Sequence, residues 1–266
     1  MKALILAAGF GTRLERDIVA DTTGVYSHLR GCSKALVPIA GKPLIDYWME
    51  QIEACQGTFD EVYVVTNAVH YPQFEIWAVL RGFPLENVLN NGVWDNKHRN
   101  GAIADIAYTL QHKKINDDLL IVAGDLLLRP DFLLEDAVTT FLASHSNMVA
   151  RYTVRDDWVN KTGILLLDGS GFVQNFLEKP QPHEVISREG CPPIYFYKKS
   201  ALKYIDTFLL RMQDQIVEQR DSPGQLVPWL LENGQRIYSY SLSGRFDVGN
   251  ITDYVQTDTF FRGLLP

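Results

Sequence analysis

Residues 2–14 read Lys-Ala-Leu-Ile-Leu-Ala-Ala-Gly-Phe-Gly-Thr-Arg-Leu, an apolar run of strand length that breaks straight into a turn of small residues with two glycines. A buried strand that hands its chain through a glycine turn to a helix is the way an α/β protein presents bare backbone N–H groups to a phosphate. Gly9 and Gly11 permit that close approach, since a Cβ would stand in its way. After a polar stretch the chain continues Ser33-Lys34-Ala35-Leu36-Val37-Pro38-Ile39-Ala40-Gly41-Lys42-Pro43-Leu44-Ile45. Arg13 and Lys34 then supply the positive charge that a polyphosphate and its transition state require. The pattern predicts a nucleotide site. It is not a Walker loop, because no Gly-Lys-Ser/Thr follows the glycines.

Strand-like and helix-like segments alternate, which predicts an α/β fold with a mostly parallel sheet flanked by helices. Strands are expected at Ala3–Ala7, Glu61–Thr66, Val88–Leu89 and Leu119–Ala123. Helices are expected at Leu44–Ala54, Tyr71–Leu80, Ala102–Leu110 and Asp131–Ser144. From Met148 the pattern changes to strands at Val149–Val154, Gly163–Asp168, Phe172–Leu177, Pro192–Tyr197 and Ile237–Leu242. Helices at Ala201–Val217 and Val227–Glu232 interrupt them. No repeat or linker divides the chain. One domain over 1–266 is expected, with a nucleotide-binding half over about 1–145 and an acceptor-binding half over about 146–266.

The net charge of −7 disfavours a surface that coats nucleic acid. Cys32, Cys55 and Cys191 lack metal-ligand spacing and read as reduced thiols. The N-terminal apolar run is too short for a signal peptide, and no stretch reaches the roughly 20 apolar residues of a membrane span. A cytoplasmic protein without nucleic-acid or membrane partners is therefore expected, its oligomeric state left open.

The two opening segments together resemble the signature of the sugar-phosphate nucleotidyltransferases, or NDP-sugar pyrophosphorylases. That family includes glucose-1-phosphate thymidylyl- and uridylyltransferases and related cytidylyltransferases. The resemblance implies a Rossmann-like nucleotide-binding sheet and transfer of NMP from a nucleoside triphosphate, a pyrimidine one by family frequency, to a sugar-1-phosphate, with loss of pyrophosphate. It implies that Ala7, Ala8, Gly9, Gly11 and Thr12 wrap the triphosphate while Arg13 and Lys34 act on the reacting phosphates. Gly124-Asp125, after the Leu119–Ala123 strand, resembles the family's Gly-Asp. Phe246-Asp247-Val248-Gly249 resembles its aromatic-Asp-x-Gly, so Asp125 and Asp247 become the implied Mg2+ ligands. Magnesium takes hard oxygen donors and retains several waters, so two carboxylates plus substrate phosphates suffice.

Glu178-Lys179-Pro180 resembles the family's acceptor motif, in which the glutamate binds sugar hydroxyls and the lysine the sugar phosphate; Gly163 is implied to sit against the sugar. Asn100-Gly101 lies where the family reads the base through backbone groups, although Asn100 reads equally as a plain helix N-cap. Asp221-Ser222-Pro223-Gly224 resembles segments of some members. One departure stands out: twenty residues separate Arg13 from Lys34, and Glu15–Arg30 reads as either a lid or a solvated loop.

That stretch, and Leu126 after Asp125, also admit a cytidylyltransferase acting on phosphocholine, an alditol phosphate or an alkylphosphonate. A non-catalytic nucleotide-sugar sensor would have lost catalytic positions, yet Arg13, Lys34, Asp125, Lys179 and Asp247 are all present. A glycosyltransferase would show Asp-x-Asp where this chain has Gly-Asp-Leu-Leu.

Overall fold

The computed structural model describes residues 1–185 and 187–264. In chain order its strands are β1 (Lys2–Ala7), β2 (Pro38–Ile39), β3 (Lys42–Pro43), β4 (Glu61–Thr66), β5 (Val88–Asn90), β6 (Leu119–Ala123) and β7 (Leu126–Leu128). They continue with β8 (Asn147–Thr153), β9 (Gly163–Leu167), β10 (Val173–Glu178), β11 (Glu189–Cys191), β12 (Ile194–Tyr197), β13 (Ile237–Ser241) and β14 (Arg245–Asp247). The α-helices are α1 (Thr12–Ala20), α2 (Leu44–Ala54), α3 (Tyr71–Arg81), α4 (Ala102–His112), α5 (Leu134–Ser144), α6 (Lys203–Arg211), α7 (Leu226–Glu232) and α8 (Ile251–Arg262).

One ten-stranded sheet runs β10-β9-β11-β8-β12-β6-β1-β4-β5, with β13 added to β8. The segment β6-β1-β4-β5 is wholly parallel, and β12 enters beside β6 in the opposite direction. Ala3, Leu4 and Ile5 of β1 are completely buried because β4 and β6 flank the strand and helices cover both faces. This is why the strand reads as a continuous apolar run without alternation. The fold is the expected α/β sheet, parallel in its first half and mixed in its second.

Several boundaries differ from the sequence pattern. The helix expected from Asp131 starts at Leu134, because the side chain of Asp131 is engaged by the Ser243 hydroxyl, which donates to it at 2.7 Å. The Gln51 side chain then caps the helix from outside, accepting from the Leu134 N–H at 2.9 Å. The helix expected over Ala201–Val217 is α only from Lys203 to Arg211. Beyond it Ile216 is 63% exposed, so no buried face remains for a longer helix to cover. Short strands β2, β3, β7 and β11 carry no clear periodic signal.

The long interval between Arg13 and Lys34 is anchored by a few apolar side chains, while most of residues 22–31 are exposed. Its first half is α1, and Leu14, Ile18 and Leu29 are buried against Val37, Leu44, Val248, Tyr254 and Phe261. Glu15 ties its far end down by accepting from the Gly31 N–H at 2.9 Å. Near the end of the described chain Tyr254 and Phe261 are buried in the protein's own core, whereas Phe260 is 39% exposed and packs 4.8 Å from Phe246, which also lies 5.4 Å from Phe261.

Candidate active site

The carboxyl ends of β1 and β6 lie side by side, with Leu6 opposite Ala123, so the loops that leave them open onto one cleft. That cleft encloses about 450 Å³ and spans both halves of the sheet. Ligands in such sheets bind at this edge, beyond the carboxyl ends of parallel strands.

The first loop is fixed from behind. The Thr66 hydroxyl donates to the Ala7 carbonyl at 3.3 Å, and the Asn67 amide donates to that of Ala8 at 3.0 Å. Ala7, Ala8 and Gly9 line the cleft, and the space a Gly9 Cβ would take is open. Gly11 has φ +61° and supports the stem of Lys34, whose Cγ lies 3.3 Å from where a Gly11 Cβ would stand. Gly11 and Thr12 do not themselves line the cleft; they place Arg13 and Lys34, which do. Gly124 leaves β6 so close to β1 that a Cβ there would meet Ala35, Ile5 and the Leu6 carbonyl, each at 3.1 Å.

Asp125 and Asp247 come together through a two-stranded ladder. β14 pairs with β7 so that Asp247 stands opposite Leu126, the residue after Asp125. Both carboxylates face the cleft, and each has a cation beside it. Lys34 Nζ is 3.7 Å from Asp125, and Arg245 Nη1 is 3.3 Å from Asp247. Asp253 lies close by, its carboxyl raised by burial and by Asp247. Leu126 is buried at the cleft wall, and its carbonyl accepts from Trp48 Nε1 at 2.7 Å.

The amino end of α4 forms another wall. Gly101, at φ +94°, is the N-cap residue, and Asn100 does not cap. The capping group is remote: Asp221 Oδ1 accepts from the Ala102 N–H at 2.8 Å, while Arg99 Nε holds Asp221 Oδ2 at 3.1 Å. Arg99 Nη2 also binds Glu218 at 2.7 Å. One turn into α4, Asp105 is 6% exposed, lines the cleft and accepts from the Asn91 amide at 2.8 Å. Burial, reinforced by Asp221, pushes its carboxyl up to about 7 against the opposing effect of Asn91.

On the opposite wall Gly163, Glu178 and Lys179 all line the cleft. A Cβ at Gly163 would run into the Phe176 ring at 2.3 Å, and one at Gly224 would meet that ring at 2.6 Å and Glu178 Oε2 at 3.0 Å. The two glycines thus make room for the Phe176 ring and the Glu178 carboxylate. Lys179 adopts φ +46°, a conformation rarely tolerated outside glycine, and extends its chain to 3.6 Å from Glu178. Strain of this kind persists where surroundings enforce it, commonly at functional sites. Cys191 also borders the cleft, but burial pushes its thiol far up, so it is an inert wall.

Of the residues expected at the site, all but Gly11 and Thr12 line this cleft. Arg245, Lys161, Asp105 and Arg99 line it as well and were not anticipated. Among the described residues no group of three or more Asp, Glu, His or Cys side chains is placed to hold a metal by itself. No helix among them is long and apolar enough to cross a membrane.

Known proteins resemble the chain over nearly its whole length. A UTP–glucose-1-phosphate uridylyltransferase of Synechocystis is 25% identical over 275 residues, covering 100% of this chain and 63% of that protein. A glucose-1-phosphate thymidylyltransferase of Streptomyces griseus is 26% identical over 272 residues, covering 97% of this chain and 65% of the relative. The chain thus spans less than two thirds of the length of either. A crystal structure of UDP-glucose pyrophosphorylase complexed with UDP-glucose shares the fold, with TM-score 0.70, 18% identity and 99% coverage of both chains. The sequence model of one family, Nucleotidyl transferase, matches residues 2–262. With nearly its whole length inside that match, the chain belongs to the nucleotidyl transferase family.

Proposed function

We propose that the chain transfers a nucleoside monophosphate from a nucleoside triphosphate to a sugar-1-phosphate and releases pyrophosphate. The observation that carries this reading is the pairing of Asp247 with Leu126 across β14 and β7. It brings two carboxylates to one cleft whose walls carry the Ala7–Gly9 loop on one side and Gly163, Glu178 and Lys179 on the other, which supports this reading. In this reading about 1–145 supplies the nucleotide subsite and about 146–266 the acceptor subsite of one working unit.

The donor set fits a magnesium ion. Two carboxylates of partial exposure, 41% for Asp125 and 33% for Asp247, leave the remaining positions to water and phosphate oxygens. When bound there, the ion neutralises phosphate charge and aligns donor and acceptor.

The acceptor phosphate is anionic near neutral pH, so its oxygen attacks the α-phosphorus without a protein base. The bond to the pyrophosphate oxygen breaks as the new one forms. What the protein must supply is alignment and charge. The Ala8–Phe10 loop offers backbone N–H groups to the triphosphate, and Arg13 and Lys34 compensate charge on the leaving pyrophosphate and the α-phosphate. Lys179 places the acceptor phosphate, Glu178 accepts from acceptor hydroxyls, and the Asn100–Gly101 backbone borders the base.

The test is pyrophosphate release with magnesium across ATP, GTP, CTP, UTP and dTTP, each against sugar-1-phosphates, phosphocholine and short phosphonates. Release restricted to one triphosphate with sugar-1-phosphates is the expected result. Release only with phosphocholine or a phosphonate would move the activity to a non-sugar acceptor. Triphosphate binding with no release from any pair would make the chain a sensor.

A further inference from the structure

Two cations of the cleft have no part in the reaction above. Arg245 is only 11% exposed, yet its contacts with the protein are few and long. Nε donates to the Tyr152 hydroxyl at 3.2 Å and Nη1 to Asp247 at 3.3 Å. A guanidinium has five donors, and among the described residues Nη2 has no hydrogen-bond partner. The group lies 5.4 Å from the ring centre of Tyr152 and 5.8 Å from that of Trp158. Lys161, in the same wall, brings its Nζ to 4.8 Å from the same Trp158 ring. One indole therefore underlies both cations, and both line the cleft next to Gly163 and Lys179.

Charge balance shows what this arrangement lacks. The acceptor wall carries Lys161, Lys179 and Arg245 with the carboxylates of Glu178 and Asp247, and Asp253, beside Asp247, also acts on Lys161, so the group left most clearly short of partners is the free edge of Arg245. A largely buried guanidinium is costly unless an anion accompanies it. Asp247 cannot serve Arg245 fully and a metal ion as well. An ordinary sugar-1-phosphate has one anionic group, which in the reading above falls to Lys179. Its hydroxyls would leave the free edge of Arg245 facing neutral oxygen, with Lys161 beside it on the same indole.

We propose that the acceptor carries a second anionic group, a carboxylate or a phosphate remote from the attacking phosphate, and that Arg245 and Lys161 hold it above Trp158. The aromatic floor keeps water from one side of the cations and strengthens their attraction for an anion. The free edge of the guanidinium can give the paired hydrogen bonds that carboxylate and phosphate both accept. This inference rests on the nucleotidyltransferase reading and narrows its acceptor.

The test compares glucose 1-phosphate, glucuronic acid 1-phosphate and glucose 1,6-bisphosphate as acceptors, with wild-type protein and with Lys161→Gln and Arg245→Lys. KM for at least one doubly anionic acceptor should lie at least about ten-fold below that for glucose 1-phosphate, an advantage that weakens with added salt. Lys161→Gln, at an exposed position, should remove most of that advantage through KM rather than kcat, and Arg245→Lys should do so by losing the paired hydrogen bonds. Whether the carboxylate or the phosphate compound prevails identifies the second group. If glucose 1-phosphate reacts as efficiently as both, the inference is overturned and the nucleotidyltransferase reading stands. Calorimetric titration of the same three acceptors needs no turnover. Tighter binding of a doubly anionic acceptor that Lys161→Gln abolishes would support the subsite even if no pyrophosphate appeared, and equal binding of all three would overturn it.

Discussion

Lys34 Nζ lies 3.7 Å from Asp125 Oδ2, a contact between the segment that precedes β2 and the loop that leaves β6. The two partners are unequally exposed: the lysine side chain is 14% accessible and the aspartate 41%. Such a pair adds little to stability, because its carboxylate is well solvated. Its consequence is positional. The lysine is held along Gly11 and the carboxylate is left facing the cleft, so charge is in place before a substrate arrives.

Lys34→Ala and Asp125→Ala should each lower turnover by at least about 10²–10³, the usual loss when one preorganised electrostatic contact is removed. The circular dichroism spectrum and melting temperature should stay close to those of the wild type. Single-turnover pyrophosphate release separates this from a binding defect. Turnover near the wild-type rate in either variant would exclude the proposed roles.

How far the sequence carries depends on the range of each interaction. β1, β6 and their glycine turns are legible because a buried strand and the turn that ends it are written in consecutive residues. Asp247 is legible only through its motif, since the register that sets it opposite Leu126 joins segments over a hundred residues apart. Asn100 looked like the cap of α4, yet the cap is Asp221, 119 residues away, and no local pattern announces it. The Phe176 ring between Gly163 and Gly224 is likewise invisible until β9, β10 and the turn before α7 are packed. Arg245 did leave a signal. Two residues before Asp247 on a strand it must share that residue's face, and a basic residue there was bound to enter the same cleft.

Gly124→Ala tests the close approach of β1 and β6. The added Cβ would meet three atoms at 3.1 Å, one of them the Leu6 carbonyl oxygen, which also accepts from the Gly124 N–H at 2.8 Å. Backbone in a central strand cannot yield as a side chain can. Overpacking of this kind costs about 1–3 kcal/mol, and a chain of this size should lose roughly 2–4 °C in Tm for each kcal/mol. Unchanged melting would mean that the two strands can separate freely.

Asp221→Ala removes an N-cap from α4 and one of the two carboxylates that hold Arg99, leaving Glu218. Loss of the cap should cost about 1 kcal/mol of stability. Because Ala102 and Gly101 form the cleft wall next to the proposed base subsite, KM for the triphosphate should rise several-fold while kcat changes less. Asp221→Asn keeps an oxygen for the Ala102 N–H but loses the charge that binds Arg99, so it should recover the stability and only part of the affinity. A KM unaltered in both variants would detach this wall from nucleotide binding.

Asp105 gives the fold a definite pH dependence. Burial raises its carboxyl to about 7, whereas in the unfolded chain it titrates near its ordinary value, about 3.9. Between those values the native state therefore holds a proton that the unfolded state has released, and stability must fall as pH rises through that window. Above it both states are ionised and the slope from this group ends. Asp105→Asn is neutral throughout and can still accept the Asn91 amide hydrogen bond. The variant should match the wild type at about pH 4 and exceed it by on the order of 1–3 kcal/mol at about pH 8. Thermal melts of both proteins across that range check the sign: a wild type that gains stability relative to the variant as pH rises would show that Asp105 is ionised and compensated in the native cleft.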